Sequence, residues 1–224
     1  MALSGPRLEP QSGTATHLVV LCHGYGADGN DLIGLAPQWR RALPTAAFVA
    51  PNAPERCPGA GYQWFPISRL DPHEMHKGVE DAAGMLETFV KTELARLALS
   101  SDRLALVGFS QGTMMVLQVG LRGPFKPAAI VGFSGLLTGA PPLAQAATPP
   151  ILLTHGDSDT VIPPEALLMT AAALGAAGFR VQWHVSPGLG HGIDATGLEM
   201  AGHFLADAFQ NRLKTSGEAS CALP

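Results

Sequence analysis

Short runs of apolar, largely β-branched residues alternate along this chain with longer helical patterns, and that alternation limits the possible folds more than any other feature. The runs are His17–Cys22 (HLVVLC), Ala46–Ala50 (AAFVA), Arg103–Val107 (RLALV), Ala128–Gly132 (AAIVG), Ile151–Thr154 (ILLT) and Arg180–Val185 (RVQWHV). Most are apolar at successive positions, not at every second one, which is the pattern of parallel strands covered on both faces. Helical segments are expected at about Asp31–Ala42, Glu74–Leu99, Ser110–Arg122, Pro164–Ala177 and Thr196–Lys214. In the longest, Met75, Val79, Ala82, Ala83, Leu86, Phe89, Val90, Leu94 and Leu97 recur with a period close to that of an α-helix. Ser100, Ser101 and Asp102 end it. The β-α order predicts a three-layer α/β domain around one mainly parallel sheet. No internal repeat or Ser/Gly-rich linker divides the chain. Residues 1–224 are therefore read as a single domain, with 1–13 and about 215–224 as peripheral tails.

Composition supports a buried sheet. Only 14% of the residues are charged, against about 25% in a typical soluble domain, and 46% are apolar. That apolar share excludes a disordered chain. The stretches Leu104–Leu121 and Pro127–Thr154 carry no charge, which raises the question of a membrane span. The first, however, contains Ser110, Gln111, Thr113 and Gln118, and the second contains Pro141, Pro142, Pro149 and Pro150. Proline inside a helix removes a hydrogen bond and clashes with the preceding turn, so both stretches are read as buried soluble structure with no transmembrane segment. The net charge of −4 and the absence of a basic block exclude a nucleic-acid footprint. Met1–Gly13 lacks the apolar core of a signal peptide, and a cytoplasmic location is expected. Cys22, Cys57 and Cys221 show no metal-type spacing and suit free thiols in a reducing compartment. Cys221-Ala222-Leu223-Pro224 imitates a prenylation box, but Pro is not a usual last residue and no polybasic stretch precedes it.

The strongest chemical signal is Gly108-Phe109-Ser110-Gln111-Gly112, a G-x-S-x-G that follows an expected strand and opens an expected helix. The flanking glycines admit a turn too tight for side chains, and the turn lifts the serine oxygen above the sheet at a helix N-terminus. A serine at its ordinary pKa is a weak nucleophile and needs a general base, itself oriented by an acid. In such folds acid and base follow in chain order, each after a later strand. After Ile151–Thr154 comes His155-Gly156-Asp157-Ser158-Asp159, and after Arg180–Val185 comes Ser186-Pro187-Gly188-Leu189-Gly190-His191-Gly192. The order Ser110, then Asp157 or Asp159, then His191 satisfies the requirement. Other histidines fit less well: His184 falls inside a strand and His203 inside the last helix. His73 and His76 stand three apart where a metalloprotease helix needs four, so no metal site is assigned.

Gly24-Tyr25-Gly26-Ala27-Asp28-Gly29 also matches the G-x-G-x-x-G of dinucleotide-binding folds. An acidic residue about 20 positions on should then hold the ribose, yet the next strand ends Val49-Ala50-Pro51-Asn52. Asp28 would also crowd the pyrophosphate with negative charge. The better account makes His23-Gly24-Tyr25-Gly26 the loop that donates to an oxyanion, through the backbone N–H of Tyr25 together with that of Gln111. Such donors contribute about 3 kcal/mol each to a transition state.

Taken together, Leu21-Cys22-His23-Gly24-Tyr25-Gly26-Ala27-Asp28, Pro51-Asn52-Ala53-Pro54, the GFSQG segment, His155-Gly156-Asp157-Ser158-Asp159 and His191 resemble the phospholipase/carboxylesterase family of α/β-hydrolases, which includes acyl-protein thioesterases. The resemblance spans about His17 to Leu213. It implies an α/β-hydrolase fold without a large lid domain, no cofactor, and hydrolysis of carboxylic esters. It places the acid on the second aspartate of the HGDSD segment, Asp159. Thr113 stands where many members have glycine, and Pro66 where many have Asp after the Trp-Phe pair. Tyr25-Gly26 is more like bacterial carboxylesterases. The function expected is a serine carboxylesterase acting on small or medium esters. The alternatives are a thioesterase or lysophospholipase and, in other classes, an NAD(P)-binding oxidoreductase or a silent ligand receptor. Candidate pocket residues are Trp64, Phe65, Leu70, Met75, Leu136, Leu137, Val161, Ile162 and Leu189; the Trp64-Phe65 pair could equally anchor the irregular Pro51–Pro72 stretch on the core. The partner is a small-molecule ester, and a homodimer is compatible with a sequence that carries no oligomerisation signal.

Overall fold

A β-strand sends successive side chains to opposite faces, so an uninterrupted apolar run needs a core on each side. The computed structural model, which describes residues 2–67, 71–145 and 148–215, has that arrangement. Its strands are β1 (Arg7–Leu8), β2 (His17–Cys22), β3 (Ala46–Val49), β4 (Glu55–Arg56), β5 (Tyr62–Gln63), β6 (Leu104–Phe109), β7 (Ala129–Phe133), β8 (Ile151–Gly156) and β9 (Val181–Ser186). Its helices are α1 (Gly29–Ile33), α2 (Ala36–Trp39), α3 (Pro72–Arg96), α4 (Gln111–Arg122), α5 (Glu165–Ala176), α6 (Ala195–Phe209) and α7 (Arg212–Thr215). In β2, Leu18, Val20 and Cys22 enter one core with residues of α3, α4 and α5, while Val19 and Leu21 enter the other with α1, α2 and α6. Helices thus cover both faces of the sheet, as the apolar runs require.

The sheet order is β1-β3-β2-β6-β7-β8-β9, parallel except for β1, which pairs antiparallel with β3. From β2 the chain moves outward to β3, then returns to lay β6 on the other flank of β2. The carboxyl ends of β2 and β6 therefore frame the reversal of strand order, the place where open α/β sheets bind ligands.

Several boundaries differ from expectation for local reasons. The helix expected over Asp31–Ala42 is broken: Asp28 caps α1 with a reciprocal capping box, and Pro37 confines itself to the first turn of α2. The last helix stops at Phe209, and the chain resumes as α7 after Asn211, whose φ is +58°. The strand β6 runs on to Phe109 because Gly108 and Phe109 pair with Gly132 and Phe133. At the far edge β9 has no outer neighbour among the described residues, and Trp183 is half exposed there. The segment read as an N-terminal tail supplies the edge strand β1. Arg7 then reaches α3, where its guanidinium and that of Arg96 bracket the buried carboxylate of Glu93. Leu70, Cys221 and residues 216–224 lie outside the described residues. Among the described residues no helix is long and apolar enough to cross a membrane.

Candidate active site

Ser110 occupies the turn between β6 and α4 with φ +54° and ψ −117°, a conformation that side-chain-bearing residues avoid. The turn is held by close packing. A Cβ added at Gly112 would lie 1.9 Å from the carbonyl oxygen of Cys22, and one at Gly108 would lie 2.3 Å from that of Gly112. The Ser110 N–H donates to the carbonyl of Phe133 at 2.9 Å. Thr113, fully buried one turn into α4, directs its hydroxyl at the carbonyls of Gly108 and Phe133, 2.8 and 2.9 Å away. Its side chain fills the space left by Gly132 and Gly135. The threonine in place of glycine therefore does alter the packing behind Ser110: it ties the ends of β6 and β7 together there.

His191 lies on the loop after β9, and its Nε2 accepts from the Ser110 hydroxyl at 2.9 Å. Its Nδ1–H donates to Asp159 Oδ2 at 2.7 Å. The imidazole tilts against the ring of Phe109, with centroids 5.0 Å apart. Ser134, at φ +46° just past β7, donates its hydroxyl to the carbonyl of Gly192 at 2.9 Å and so fixes the residue next to the histidine. Asp159 is buried, and its Oδ1 accepts the N–H groups of Val161 and Ile162 at 2.8 and 2.9 Å. Burial alone would raise the Asp159 carboxyl pKa. The hydrogen bonds from His191, Ile162 and Val161 outweigh it and hold the carboxyl below its ordinary value. Asp157, the other aspartate left open by spacing, turns away and accepts from the N–H of Gly188 at 2.7 Å. Ser110, His191 and Asp159 thus form one hydrogen-bonded chain, and Asp157 braces the loop that carries the histidine.

The loop after β2 approaches from the other side, with a Cβ position at Gly24 only 3.2 Å from Ser110 Cβ. Its turn is closed by the Ala27 N–H on the carbonyl of Gly24 at 3.3 Å, a bond that does not use the N–H of Tyr25. The N–H of Gln111 stands at the first position of α4, where a helix has no intrahelical acceptor to offer. His23 locks this loop. Its Nε2 accepts from the Ala53 N–H at 2.9 Å, which leaves the proton on Nδ1 to face the carbonyl of Gly24 at 2.7 Å. Burial pushes the His23 imidazole below its ordinary pKa, consistent with this neutral form.

Among the described residues the Trp64-Phe65 pair acts as an anchor on the core. Both are buried. Trp64 donates its indole N–H to the carbonyl of His23 at 2.9 Å, and the Phe65 ring sits on Gly78 of α3. The side chain of Gln111 clamps the same segment: its oxygen accepts from the Trp64 N–H at 2.9 Å and its amide donates to the Phe65 carbonyl at 2.7 Å. Sequence reasoning assigned Gln111 a backbone role only, and no local pattern announces this second one.

Of the other candidate pocket residues, Met75, Leu136 and Leu137 line an apolar cavity of about 320 Å³, together with Thr138, Met169 and Thr170. Gly135, which precedes the lining residue Leu136, has its Cβ position 2.8 Å from the Ser110 carbonyl oxygen. Val161, Ile162 and Leu189 do not line it. Ile162 is buried in the core, Val161 is half exposed, and Leu189 contributes its carbonyl to the Ser158 N–H. These three belong to the frame around Asp159 and His191. His73 and His76 sit at the start of α3, capped by Asp71. Among the described residues no group of three or more His, Cys, Asp or Glu side chains could hold a metal ion.

Comparison with known proteins places the chain in a family. A family model described as Phospholipase/Carboxylesterase matches residues 3–208. Esterase YpfH of Escherichia coli (strain K12) is 30% identical over 192 residues, covering 84% of this chain and 81% of its own. Acyl-protein thioesterase 1 of Neurospora crassa is 29% identical over 232 residues, covering 92% of this chain and 93% of its own. Among solved structures, esterase PE8 superposes with a TM-score of 0.85 at 42% identity, covering 93% of this chain and all of that one. A carboxylesterase of Bacillus cereus shares the fold, with a TM-score of 0.78 at 16% identity over 92% of this chain and 95% of that one. The chain belongs to the phospholipase/carboxylesterase family of α/β-hydrolases, and with it to the carboxylic ester hydrolases.

Proposed function

We propose that this protein is a serine carboxylesterase that cleaves small or medium esters through an acyl-enzyme. The observation that carries the proposal is the chain from Ser110 Oγ to His191 Nε2 at 2.9 Å and from His191 Nδ1 to Asp159 Oδ2 at 2.7 Å. His191 takes the proton of Ser110 as the serine oxygen attacks the ester carbonyl. Asp159 keeps the proton of the imidazole on Nδ1 and stabilises the cation that forms. The N–H groups of Tyr25 and Gln111 receive the oxyanion, assisted by the positive end of α4. His191 then protonates the departing alcohol, and water, activated by the same imidazole, cleaves the acyl-serine bond. The reaction uses no metal or cofactor.

The cavity bounded by Met75, Leu136 and Leu137 is the proposed acyl site. Its volume of about 320 Å³ is at the lower end of ligand pockets, which favours a short or medium acyl group. The buried free thiols of Cys22 and Cys57 fit the proposed cytoplasmic location. The direct test compares the parent with Ser110→Ala on p-nitrophenyl acetate and butyrate, beside palmitoyl thioester and lysophospholipid substrates. Loss of turnover in Ser110→Ala with preference for the short esters is the expected result. Near-parental activity in the variant refutes the serine mechanism, and a preference for the thioester or lysophospholipid refutes the substrate class.

A further inference from the structure

Asp159 faces a second histidine. His155, the penultimate residue of β8, has a side chain with no exposed surface, and its Nε2 lies 3.1 Å from Asp159 Oδ2 and 2.9 Å from the carbonyl oxygen of Ile162. Both neighbours are acceptors, so Nε2 carries the proton; it donates to the Ile162 carbonyl and lies in close polar contact with Asp159 Oδ2. The other ring nitrogen, Nδ1, is buried without a partner. A buried, unpaired ring nitrogen is costly, and an apolar side chain would avoid that cost. What the imidazole gains in return is the contact with Asp159 and with the turn that holds it.

From this geometry we infer that His155 is a positioning residue for the proposed esterase reaction, fixing the carboxylate that orients the catalytic histidine. The inference rests on the serine-esterase reading above. Three N–H groups hydrogen-bond Asp159, those of Val161 and Ile162 on Oδ1 and that of His191 on Oδ2, and His155 Nε2 packs 3.1 Å from Oδ2. Without His155 the Oδ2 side is contacted by His191 alone, the group that takes up and releases the proton in the proposed reaction. His155 also ties down the Ile162 carbonyl, and therefore the Asp159–Ile162 turn that supplies the two N–H groups to Oδ1. A second effect is electronic. The Nε2–H dipole 3.1 Å from Oδ2 offsets part of the negative charge that His191 uses, so it restrains how strongly Asp159 stabilises the imidazolium. The titratable groups bonded within this cluster are Asp159 and His155 from the segment after β8 and His191 from the loop after β9. Asp157 is engaged with Gly188 instead.

The test uses His155→Leu, which removes the donor, and His155→Gln, whose amide nitrogen can reach the position of Nε2. Circular dichroism and melting temperature confirm that each is folded, and Ser110→Ala serves as the reference for the reaction itself. His155→Leu is expected to lower kcat about tenfold to a hundredfold, the scale on which a misplaced catalytic group acts, with KM within about twofold of the parent because His155 is not in contact with substrate. The acid limb of its kcat/KM profile should move to higher pH as the Asp159 carboxylate loses the Nε2–H contact. His155→Gln should recover most of kcat and the parental acid limb. A folded His155→Leu with parental kcat and profile overturns the inference. So does a loss of kcat with an unmoved acid limb that Gln fails to rescue, which marks a purely structural role. If Ser110→Ala is itself active, the esterase reading falls instead, and the two failures are told apart.

Discussion

Replacing Gln111 by alanine removes a side chain while leaving its backbone N–H in place, and so separates support of the site from the chemistry. The amide makes two buried hydrogen bonds, from the Trp64 N–H at 2.9 Å and to the Phe65 carbonyl at 2.7 Å. Both partners stay buried in Gln111→Ala. A stranded backbone group costs about 1–3 kcal/mol, so the two together cost about 2–6 kcal/mol. A chain of this size loses about 2–4 °C of melting temperature per kcal/mol, and a fall of about 10 °C is expected. The Trp64 indole that holds the His23 carbonyl is then freed, and the N–H of Tyr25 loses its fixed direction. Turnover of p-nitrophenyl butyrate should fall, with kcat more affected than KM. Gln111→Glu sharpens the test. One carboxylate oxygen can still accept from Trp64, but the other is set against the Phe65 carbonyl, so the folded state disfavours the ionised form and the pKa of the new carboxyl is raised. Its protonated form restores the donor, hence the stability of Gln111→Glu relative to the parent should recover as pH falls through that raised value. Differential scanning fluorimetry from pH 8 to pH 5 reads both effects. A melting temperature for Gln111→Ala within about 2 °C of the parent would refute the clamp.

Asp159→Asn keeps the shape of the side chain but cannot accept from the donors on both sides of it, and it favours the His191 tautomer with its proton on Nε2; kcat/KM for p-nitrophenyl acetate should fall about 10⁴-fold, with the fold intact by circular dichroism. Ser134→Ala removes the hydroxyl donated to Gly192, at a cost of about 1 kcal/mol in urea unfolding, and kcat should fall several-fold with little change in KM. The Glu93 carboxyl is raised by burial but lowered further by the guanidinium groups of Arg7 and Arg96, so its folded value lies below the ordinary one. The stability it contributes is present above the unfolded pKa of about 4.3 and is lost as pH falls through the folded value. The advantage of the parent over Glu93→Gln in urea midpoint should therefore shrink on going from pH 6 to pH 3, and a constant difference would exclude the ion-pair account.

Features governed by local chemistry were legible in the sequence. The uninterrupted apolar runs predicted a sheet buried on both faces. The G-x-S-x-G segment predicted a strained serine because a turn of that geometry leaves no room for a Cβ at Gly108 or Gly112. The chain order placed Asp159 and His191, once the family resemblance had chosen between two aspartates. What escaped was mostly long-range. The break in the helix expected over Asp31–Ala42 is the local exception, where Pro37 outweighs an apolar pattern, whereas β1 depends on pairing with the distant β3, Arg7 opposite Val49, with Arg7 reaching Glu93 across 86 positions. Trp64 and Phe65 left two roles open because an aromatic pair has the same composition in a pocket wall as in an anchor. The hydrogen-bond partners that decide the matter, His23 and Gln111, are far away in sequence.

The same distinction explains how the two halves of the site are brought into register. The proposed nucleophile and oxyanion loop rise from β6 and β2, whereas the proposed acid and base come from β8 and β9, and β7 lies between them. Two consecutive residues at its carboxyl end serve both sides. The carbonyl of Phe133 accepts from the Ser110 N–H and the Thr113 hydroxyl. Ser134 takes its own N–H to the Thr154 carbonyl on β8 and its hydroxyl to Gly192. That division of bonds requires the backbone to turn sharply between the two residues, which accounts for the positive φ of Ser134, a residue without glycine's freedom. Strain appears at Ser110 and again at Ser134 because each must present groups in two directions at the end of a parallel strand. The nucleophile is aligned with its base through β7, a strand that carries none of the proposed catalytic side chains.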